Sequence, residues 1–238
     1  MPKPPPAKGF PGVKARFDPP ADCRRILIVG AGGFGREVLV WARDAWAQSS
    51  GLIAGFLSDD LHRLDGHACD LAILCATAAY QRQPGDYLVL AIGVPYCRRR
   101  VAESLLAGGS RFLTLVHPAA VVAEAARVGE GSVVCPYAIV SDSAVLGQCV
   151  LVNYHASLGH DSTAGDYAVL SPYATLGGAA RVDEDVFLGL HASVGPGIRV
   201  GARSKVSANS CVLVHAAADT LVYGVPGRNS PRVGTAAD

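Results

Sequence analysis

A strict six-residue repeat over the carboxy-terminal half of the chain is the feature that most restricts its fold. Every sixth residue from Val116 to Val212 gives seventeen positions, of which sixteen are Val or Leu and one is Ala. Four residues after each of these, Ser, Ala or Val stands in all but one hexad, and Gly, Ser, Asn or Asp often follows the aliphatic residue directly. One aliphatic and one small residue per hexad can point inward, while the small polar residue permits a tight corner. Three hexads then close one triangular coil, so the repeat predicts a left-handed parallel β-helix of nearly six coils without an inserted loop.

The region before the repeat alternates strand-like apolar runs with helix-like segments. A run over 25–30 leads into Gly30-Ala-Gly-Gly-Phe-Gly35, and apolar residues at helical spacing follow over 36–47. The pattern further predicts a second helix over 98–107 and strands near 52–57, 71–74, 87–92 and 112–115. This alternation indicates a small Rossmann-like α/β domain. The chain is therefore expected to have four parts: a proline-rich tail over 1–23, the Rossmann-like domain over 24–115, the β-helix over 116–228 and a C-terminal tail over 229–238.

Composition and charge argue against several classes of protein. Half of the residues are apolar, 17% are charged and the formal net charge is +1, which gives a sizeable core but no excess charge for a nucleic-acid partner. No apolar run reaches the roughly 18 residues of a membrane span, and the amino terminus lacks the apolar segment of an export signal. The seven cysteines form no CxxC pair, which is typical of reduced, buried thiols. We therefore expect a cytoplasmic protein without a membrane partner.

The repeat also assigns corner residues to columns, because positions eighteen apart lie above one another in successive coils. His160 shares its column with Asp142 before it and Gly178 after it. Asp161 follows His160 directly, and a carboxylate beside an imidazole stabilises the imidazolium that a general base forms. Gly178 would leave a bare backbone amide near that ring, where it can steady an oxyanion. These residues predict a chemical site, and a solvated corner histidine is the structural alternative.

A metal site and a purely structural solenoid are two further interpretations of the repeat. His155 and His160 are five residues apart, as in hexapeptide-repeat carbonic anhydrases, but the register puts Gly165 and Glu124 where that pattern needs its other ligands. The sequence therefore predicts no metal. Structural solenoids carry flat arrays of one repeated polar residue, whereas this repeat has isolated His, Asn, Asp and Gly residues at its corners, which favours an enzyme.

Several motifs, in their order along the chain, resemble the bacterial hexapeptide-repeat sugar acetyltransferases, a family that includes nucleotide-amino-sugar N-acetyltransferases and sialic-acid O-acetyltransferases. These motifs are Ile-Val-Gly-Ala-Gly-Gly-Phe-Gly-Arg at 28–36, Leu-Ala-Ile-Gly at 90–93, Thr-Leu-Val-His-Pro at 114–118, Asn153 with His160-Asp161, and Gly-Val-Pro-Gly at 224–227. The resemblance extends from about residue 25 to 228. It implies a homotrimer that binds acetyl-CoA in grooves between neighbouring β-helices.

The resemblance also implies roles for individual residues. His160 matches the catalytic base, Asp161 the acidic residue after it, Asn153 a residue that holds the acceptor group, and Gly178 the glycine whose amide meets the acetyl carbonyl. The nucleotide of the acceptor is expected at the glycine loop and at two aspartates beyond the second strand, a set formed by Gly30, Gly32, Gly33, Phe34, Asp59 and Asp60. Val169 and Phe34 depart from the family pattern, since histidines are usual at both positions.

Together these features predict an acetyl-CoA-dependent acyltransferase that needs no metal and acts on the amino group of a nucleotide-linked amino sugar in glycan biosynthesis. Direct transfer with His160 as base is expected, because Cys135, Cys149 and Cys211 have no histidine at a matching corner. Three alternatives stay open. They are O-acetylation of a sugar or sialic acid, a non-catalytic solenoid that binds sugar nucleotides, and a γ-type metal hydrase.

Overall fold

The amino-terminal domain is a parallel sheet flanked by two helices. The computed structural model describes residues 17–232, so most of the predicted proline-rich tail and the last six residues lie outside the described residues. The sheet has the order β3-β2-β1-β4, with β1 at Arg25–Val29, β2 at Ile53–Leu57, β3 at Ile73–Cys75 and β4 at Asp86–Leu90. Helix α1 spans Gly33–Ala45, α2 spans Pro95–Ala107, and short 3-10 helices cover Ala47–Leu52 and Thr77–Ala79. The predicted Rossmann-like domain is confirmed.

The sheet is covered on both faces, which explains why its strands are apolar without alternation. In β1, Ile26 and Ile28 pack in the cluster that contains α1, whereas Leu27 and Val29 pack in the cluster that contains α2. All four side chains are at most 1% exposed. Within residues 17–232, neither helix has the length and apolar character that a membrane span needs.

Three element boundaries differ from the expectation drawn from sequence. Helix α1 begins at Gly33, because the glycine loop runs directly into its first turn. Helix α2 begins at Pro95, since proline has a helical φ and needs no hydrogen-bond donor in a first turn. The last strand predicted for this domain is wrong: Phe112 only bridges to Leu88, and Leu115 already opens the β-helix. The few residues between Phe112 and Leu115 cross from the edge of the sheet to the first coil of the β-helix. Only Phe112 is therefore placed to pair with β4.

The carboxy-terminal domain is the predicted parallel β-helix. Its seventeen two-residue strands follow at six-residue spacing and pair in parallel with strands eighteen residues away. Face 1 contains β5, β8, β11, β14, β17 and β20, face 2 contains β6, β9, β12, β15, β18 and β21, and face 3 contains β7, β10, β13, β16 and β19. The bounds, in order from β5 to β21, are Leu115–Val116, Val121–Val122, Arg127–Val128, Val133–Val134, Ile139–Val140, Val145–Leu146, Leu151–Val152, Ser157–Leu158, Thr163–Ala164, Val169–Leu170, Thr175–Leu176, Arg181–Val182, Phe187–Leu188, Ser193–Val194, Arg199–Val200, Lys205–Val206 and Cys211–Val212.

The interior of the β-helix is built from the two inward positions of each hexad. Around β12, the aliphatic Leu158 and the small Ala156 and Ser162 are all fully buried. The third residue after the inward aliphatic residue of a hexad has a positive φ in most coils, for example 58° at both His155 and Asp161. Such a conformation strains a non-glycine residue, so it persists because the stacked coils bond to one another on both sides.

The coil spacing changes after Val212. Ala216 bridges to Val200 sixteen residues earlier, and β22 (Thr220–Tyr223) then pairs with β20 on face 1. The chain turns back as β23 (Arg228–Pro231), antiparallel to β22. The domain boundary predicted at residue 228 therefore falls at the start of β23. The sequence does not reveal this strand, because the closing hairpin lacks the six-residue repeat. The closing hairpin continues to Pro231.

The two domains share one buried contact surface on face 1. The outward residues Leu115, Val133, Leu151 and Val169 of that face belong to the same apolar cluster as Val38 of α1. Apolar side chains of both domains pack together in this cluster, which fixes how the glycine loop lies relative to the β-helix.

A fully buried arginine reinforces this contact. Arg98 of α2 donates to the carbonyl oxygens of Leu90 and Ile92 at 3.1 and 2.9 Å, and to those of Cys149 and Val150 in the β-helix at 2.5 and 3.4 Å. Burial lowers the pKa of its guanidinium to about 10, and the acceptors of its hydrogen bonds are carbonyl oxygens and not a carboxylate. Arg98 therefore joins the end of β4 to a β-helix corner.

Candidate active site

The corner between faces 2 and 3 carries an imidazole–carboxylate pair. His160 and Asp161 follow β12, and the Asp161 Oδ2 atom lies 2.8 Å from His160 Nδ1. The side chains are 71% and 63% exposed. The N–H of Asp161 donates to the Asp142 carbonyl in the preceding coil, so the backbone ladder anchors the pair. A carboxylate at Nδ1 favours the tautomer with hydrogen there, which leaves the Nε2 lone pair available to accept a proton.

Gly178 lies against the His160 ring, one coil toward the C-terminus. The N–H of Ala179 donates to the His160 carbonyl at 2.7 Å and holds the two corners in register. A Cβ at Gly178 would lie 2.6 Å from Cε1 and 3.1 Å from Cδ2 of the imidazole, so glycine is needed for this ring position. No described residue accepts a hydrogen bond from the Gly178 N–H. The structure thus brings together a ring nitrogen and an unobstructed amide.

The glycine loop joins β1 to α1 at the carboxyl edge of the sheet. Gly30 has φ +108°, and a Cβ there would lie 2.6 Å from the Ala91 carbonyl oxygen. A Cβ at Gly35 would overlap the Gly30 carbonyl, so glycine allows the helix to approach the strand. Gly32 is the N-cap residue of α1 and makes no side-chain hydrogen bond to the amides of the first turn, which also contains no acidic residue. The helix start therefore presents backbone amides and a positive pole that suit a phosphate.

Two guanidinium groups beside this loop are not marked by any periodic sequence pattern. A Cβ at Gly32 would lie 3.8 Å from Arg63 Nε, and one at Gly33 would lie 3.9 Å from Arg36 Nη2. Arg36 closes the glycine motif and could have been singled out on that ground. Arg63 reaches the loop from a turn nearly thirty residues later, which only the fold reveals. The loop consequently offers cations as well as amides to an anionic ligand.

Asp59 and Asp60 follow β2 at the same edge of the sheet, and both are partly engaged in local bonds. Asp59 Oδ1 accepts the Thr77 N–H at 2.8 Å, and Asp60 Oδ1 accepts the His62 N–H at 3.1 Å. These bonds order the loops around the glycine segment. The two aspartates lie beyond the carboxyl ends of parallel strands, where open α/β sheets bind their ligands.

Asn153 lies at the opposite corner of face 2 from His160. Its Oδ1 accepts the N–H of Tyr154 at 2.8 Å. The Tyr154 ring meets Trp41 of α1 edge-on at 6.5 Å, and Trp41 meets Phe34 in the glycine loop in the same way at 6.0 Å. Asn153 is therefore grouped with the glycine loop at the corner between faces 1 and 2.

The predicted site residues consequently form two groups within one chain. His160, Asp161 and Gly178 occupy the corner between faces 2 and 3, whereas Asn153 and the glycine loop lie by the corner between faces 1 and 2. Asn153 and His160 belong to successive hexads, and successive hexads turn successive corners.

Val169 and Phe34, which stand where the family usually has histidines, are packing residues in this structure. Val169 is 2% exposed and lies on face 1 beneath the amino-terminal domain. Phe34 is partly buried against Trp41. Neither side chain can supply a hydrogen bond, so any contact that these two side chains themselves make with a ligand is apolar.

The described part of the chain contains no group of three metal-ligating side chains. His155, one of the two histidines weighed as ligands, stacks between Tyr137 and Tyr173 at ring distances of 5.1 and 4.7 Å. Burial raises the pKa of the Cys149 thiol to about 11 and that of Cys135 well above its usual value. These two thiols are therefore poor nucleophiles.

Comparison with known proteins finds the same two-part architecture. Residues 25–105 match the PglD N-terminal domain. The chain is 28% identical over 137 residues to GDP-perosamine N-acetyltransferase of Escherichia coli O157:H7, covering 56% of this chain and 61% of the relative. It is 33% identical over 113 residues to UDP-N-acetylbacillosamine N-acetyltransferase of Bacillus subtilis (strain 168), covering 47% and 51%. The matched segments thus span about half to three-fifths of these curated relatives.

Two solved structures match 87% of this chain. PerB from Caulobacter crescentus, in complex with CoA and GDP-perosamine, is 26% identical with a TM-score of 0.77 over 97% of that chain. The acetyltransferase domain of PglB from Neisseria gonorrhoeae FA1090, in complex with acetyl coenzyme A, is 27% identical with a TM-score of 0.76 over 100% of that chain. Both parts of the chain are therefore similar to bacterial sugar acetyltransferases.

Proposed function

We propose that this protein transfers the acetyl group of acetyl-CoA to the amino group of a nucleotide-linked amino sugar. The observation that carries the proposal is the contact between His160 and Gly178, which joins a free imidazole nitrogen to an unobstructed amide. The glycine loop with its helix start, Arg36 and Arg63 suits the diphosphate of such an acceptor. The names of both curated relatives and the ligands of PerB describe this same kind of substrate for those proteins.

The proposed reaction is a direct transfer with one general base. Asp161 holds the His160 ring with hydrogen on Nδ1, and Nε2 takes the proton from the acceptor amine as its nitrogen attacks the thioester carbonyl. Negative charge develops on the carbonyl oxygen, where the Gly178 N–H donates a hydrogen bond. The intermediate then expels the CoA thiolate, which receives the proton from the imidazolium. Atoms and charge balance without a metal, and acetyl-CoA is the only co-substrate. The cytoplasm is the proposed location, where the seven free cysteines stay reduced.

A homotrimer would unite the two halves of the site. The amino-terminal domain covers face 1, whereas face 2 and its adjoining corner expose Val121, Ile139 and Tyr137 by 52%, 42% and 60%. Exposed apolar side chains of this size favour burial against another subunit. Three β-helices that meet at the corners of face 2 would bring His160 of one copy beside Asn153 of the next.

Release of free thiol from acetyl-CoA tests the proposed activity. Wild-type protein is incubated with acetyl-CoA and a panel of UDP-, GDP- and dTDP-linked 3-amino and 4-amino sugars, with free sialic acid as the O-acetylation arm. Rapid thiol release with at least one nucleotide-linked amino sugar is expected. Release with sialic acid alone would favour the O-acetyltransferase alternative. Binding of sugar nucleotides without any thiol release would contradict an enzymatic role and favour the non-catalytic solenoid.

Substituting Gly178 with alanine should impair the reaction without unfolding the corner. The new methyl group would overlap the imidazole of His160 and displace it from Asp161, although the amide itself is retained. A displacement of about 1 Å is expected to lower kcat about 10²-fold. Gly51→Ala is the matched control, since a Cβ at Gly51 would meet nothing within 4 Å. Equal kcat values for the two variants would show that the ring position is not critical.

A further inference from the structure

Four phenol and imidazole rings form a continuous stack along the corner between faces 1 and 2. The rings of Tyr137, His155, Tyr173 and His191 follow one another at eighteen-residue spacing, with centroids 5.1, 4.7 and 4.6 Å apart and interplanar angles of 12° or less. Tyr137 and Tyr173 are 60% and 43% exposed, and both imidazoles are exposed as well. The rings are apolar along their bodies and carry hydroxyl or nitrogen groups, so the stack is amphipathic. We call these four residues the ring ladder.

The surface around the ring ladder carries no formal charge. Face 2 and the corner before it are built from six hexads that contain no Asp, Glu, Lys or Arg, namely 117–122, 135–140, 153–158, 171–176, 189–194 and 207–212. The ten hexads between them, which form the other two sides, contain thirteen such residues. The centres of interfaces between subunits are depleted of charged residues and enriched in tyrosine. The ring ladder therefore lies on the side of the β-helix that suits contact with a second copy of the chain.

His155 is held by neighbouring rings on three sides. Tyr137 and Tyr173 cover its two faces, and the Tyr154 ring meets it edge-on at 6.3 Å and 90°. Neither imidazole nitrogen makes a hydrogen bond or an ion pair to any residue within 17–232. Stacking fixes the plane of the imidazole, and both nitrogen atoms lie in that plane. His155 consequently presents two unused hydrogen-bonding groups in a fixed direction, which is what a preorganised binding residue requires.

The position of His155 places it between the two groups of site residues when two copies meet. The amino-terminal domain covers face 1, and the contact of Trp41 with Tyr154 places the glycine loop on that side of the corner. In the proposed homotrimer, His160 of the next copy approaches from face 2. An acceptor whose diphosphate lies at the glycine loop and whose amine lies at that His160 must cross the tip of the corner. His155 lies at this tip, two residues after Asn153.

The part of the acceptor that crosses this corner is the sugar ring, because the ring separates the diphosphate from the amino group. Its hydroxyl groups donate and accept hydrogen bonds, as a neutral imidazole does. We propose that His155 binds a ring hydroxyl of the acceptor sugar at the corner that faces His160 of the neighbouring copy. The inference rests on the proposed function, because it takes a nucleotide-linked amino sugar as the acceptor and the trimer as the assembly. His155 is thus an acceptor-binding residue, and proton transfer belongs to His160.

Steady-state kinetics of the full chain tests this role, and the ring ladder supplies a matched control. His155→Phe keeps the stack and removes both nitrogen atoms, and His191→Phe makes the same change two coils, or about 10 Å, farther along the ladder. His155→Phe should raise KM for the acceptor about 10-fold, as expected for one lost hydrogen bond. Its kcat and its KM for acetyl-CoA should stay within about twofold of the wild type, since a contact made equally before and during the reaction changes binding alone. His191→Phe should match the wild type in all three constants.

Monodeoxy analogues of the acceptor identify the group that His155 binds. With the wild type, removal of one particular hydroxyl should raise KM about 10-fold. With His155→Phe, that analogue and the parent acceptor should have equal KM, because the hydrogen bond is already lost. His155→Asn is the second variant, since asparagine tolerates the left-handed φ of 58° at this position but its side chain is too short to reach the same hydroxyl. It should change KM as His155→Phe does.

Wild-type KM in the His155 variants, or an equal increase in His191→Phe, would overturn the proposal while the proposed function stands. So would a rise in KM that is the same for the parent acceptor and for every monodeoxy analogue. Light scattering separates binding from packing: a loss of acceptor binding that occurs only with a loss of the trimer would assign the ring to assembly and overturn the proposal as well. A wild-type chain that released no thiol with any nucleotide-linked amino sugar would contradict the proposed function itself, and the inference with it.

Discussion

Replacing His160 with asparagine is expected to lower kcat by about 10²–10⁴-fold, because the variant keeps a polar side chain of similar size but loses the proton acceptor. Affinity for acetyl-CoA should change little, since the backbone amide of Gly178, which the proposed reaction pairs with the acetyl carbonyl, is retained. Stability should also be preserved, within about 0.5 kcal/mol, because the His160 side chain is 71% exposed. Steady-state kinetics with the acceptor identified by thiol release, together with calorimetry for the donor, separates these effects.

The control for this variant is His67→Asn, which changes an exposed histidine outside both groups of site residues. It should retain wild-type turnover. The turnover of Asp161→Asn should lie between those of His160→Asn and His67→Asn, because this variant keeps the base but removes the carboxylate that orients the His160 ring at Nδ1. Wild-type turnover of the His160 variant would rule out general-base catalysis by this residue.

Replacing Arg98 with alanine is expected to lower the free energy of unfolding by about 3–5 kcal/mol. The substitution leaves a large cavity between the domains and removes the donor from the carbonyls of Leu90, Ile92 and Cys149. The removed charge was itself costly to bury, which offsets part of the loss. Arg98→Met fills more of the cavity and should lose less. Denaturant titration followed by circular dichroism measures both values.

Arg100→Ala is the matched control on the same helix. Arg100 is exposed, and its guanidinium lies 5.8 Å from the centre of the Tyr96 ring. Its removal should change the free energy of unfolding by less than about 0.5 kcal/mol. If Arg98→Ala lowered the free energy of unfolding as little as Arg100→Ala, the buried hydrogen bonds would contribute little to the contact between the domains.

Much of the β-helix could be predicted from the sequence because its structure is local and periodic. The six-residue repeat fixes strand positions, faces and columns at once, so the contact of His160 with Gly178 follows from their eighteen-residue separation. The repeat also implies that Asn153 and His160 turn different corners, although the family resemblance assigns both to one site. Within one chain these residues lie at different corners, and the proposed homotrimer would bring them together.

The features that escaped prediction depend on contacts between distant segments. Arg98 has the sequence context of an ordinary surface cation in a helix, and only docking of the two domains buries it. Arg63 comes from a turn without periodicity, so nothing in the sequence directs it to the glycine loop. The closing hairpin at β22 and β23 was missed because the repeat ends where the hairpin begins. Tertiary packing, which no local pattern encodes, decides all three.

The proposed function assigns to His160 the catalysis of acetyl transfer to the nitrogen of a nucleotide-linked amino sugar. The most direct measurement is NMR spectroscopy of the product formed from acetyl-CoA and the acceptor that gives the fastest thiol release, with wild-type protein and His160→Asn in parallel. With the wild type we expect a new amide between the acetyl carbonyl and the sugar nitrogen, and we expect the variant to form it at least about 10²-fold more slowly. An acetyl ester on a sugar oxygen, or an amide formed equally fast by both proteins, would contradict it.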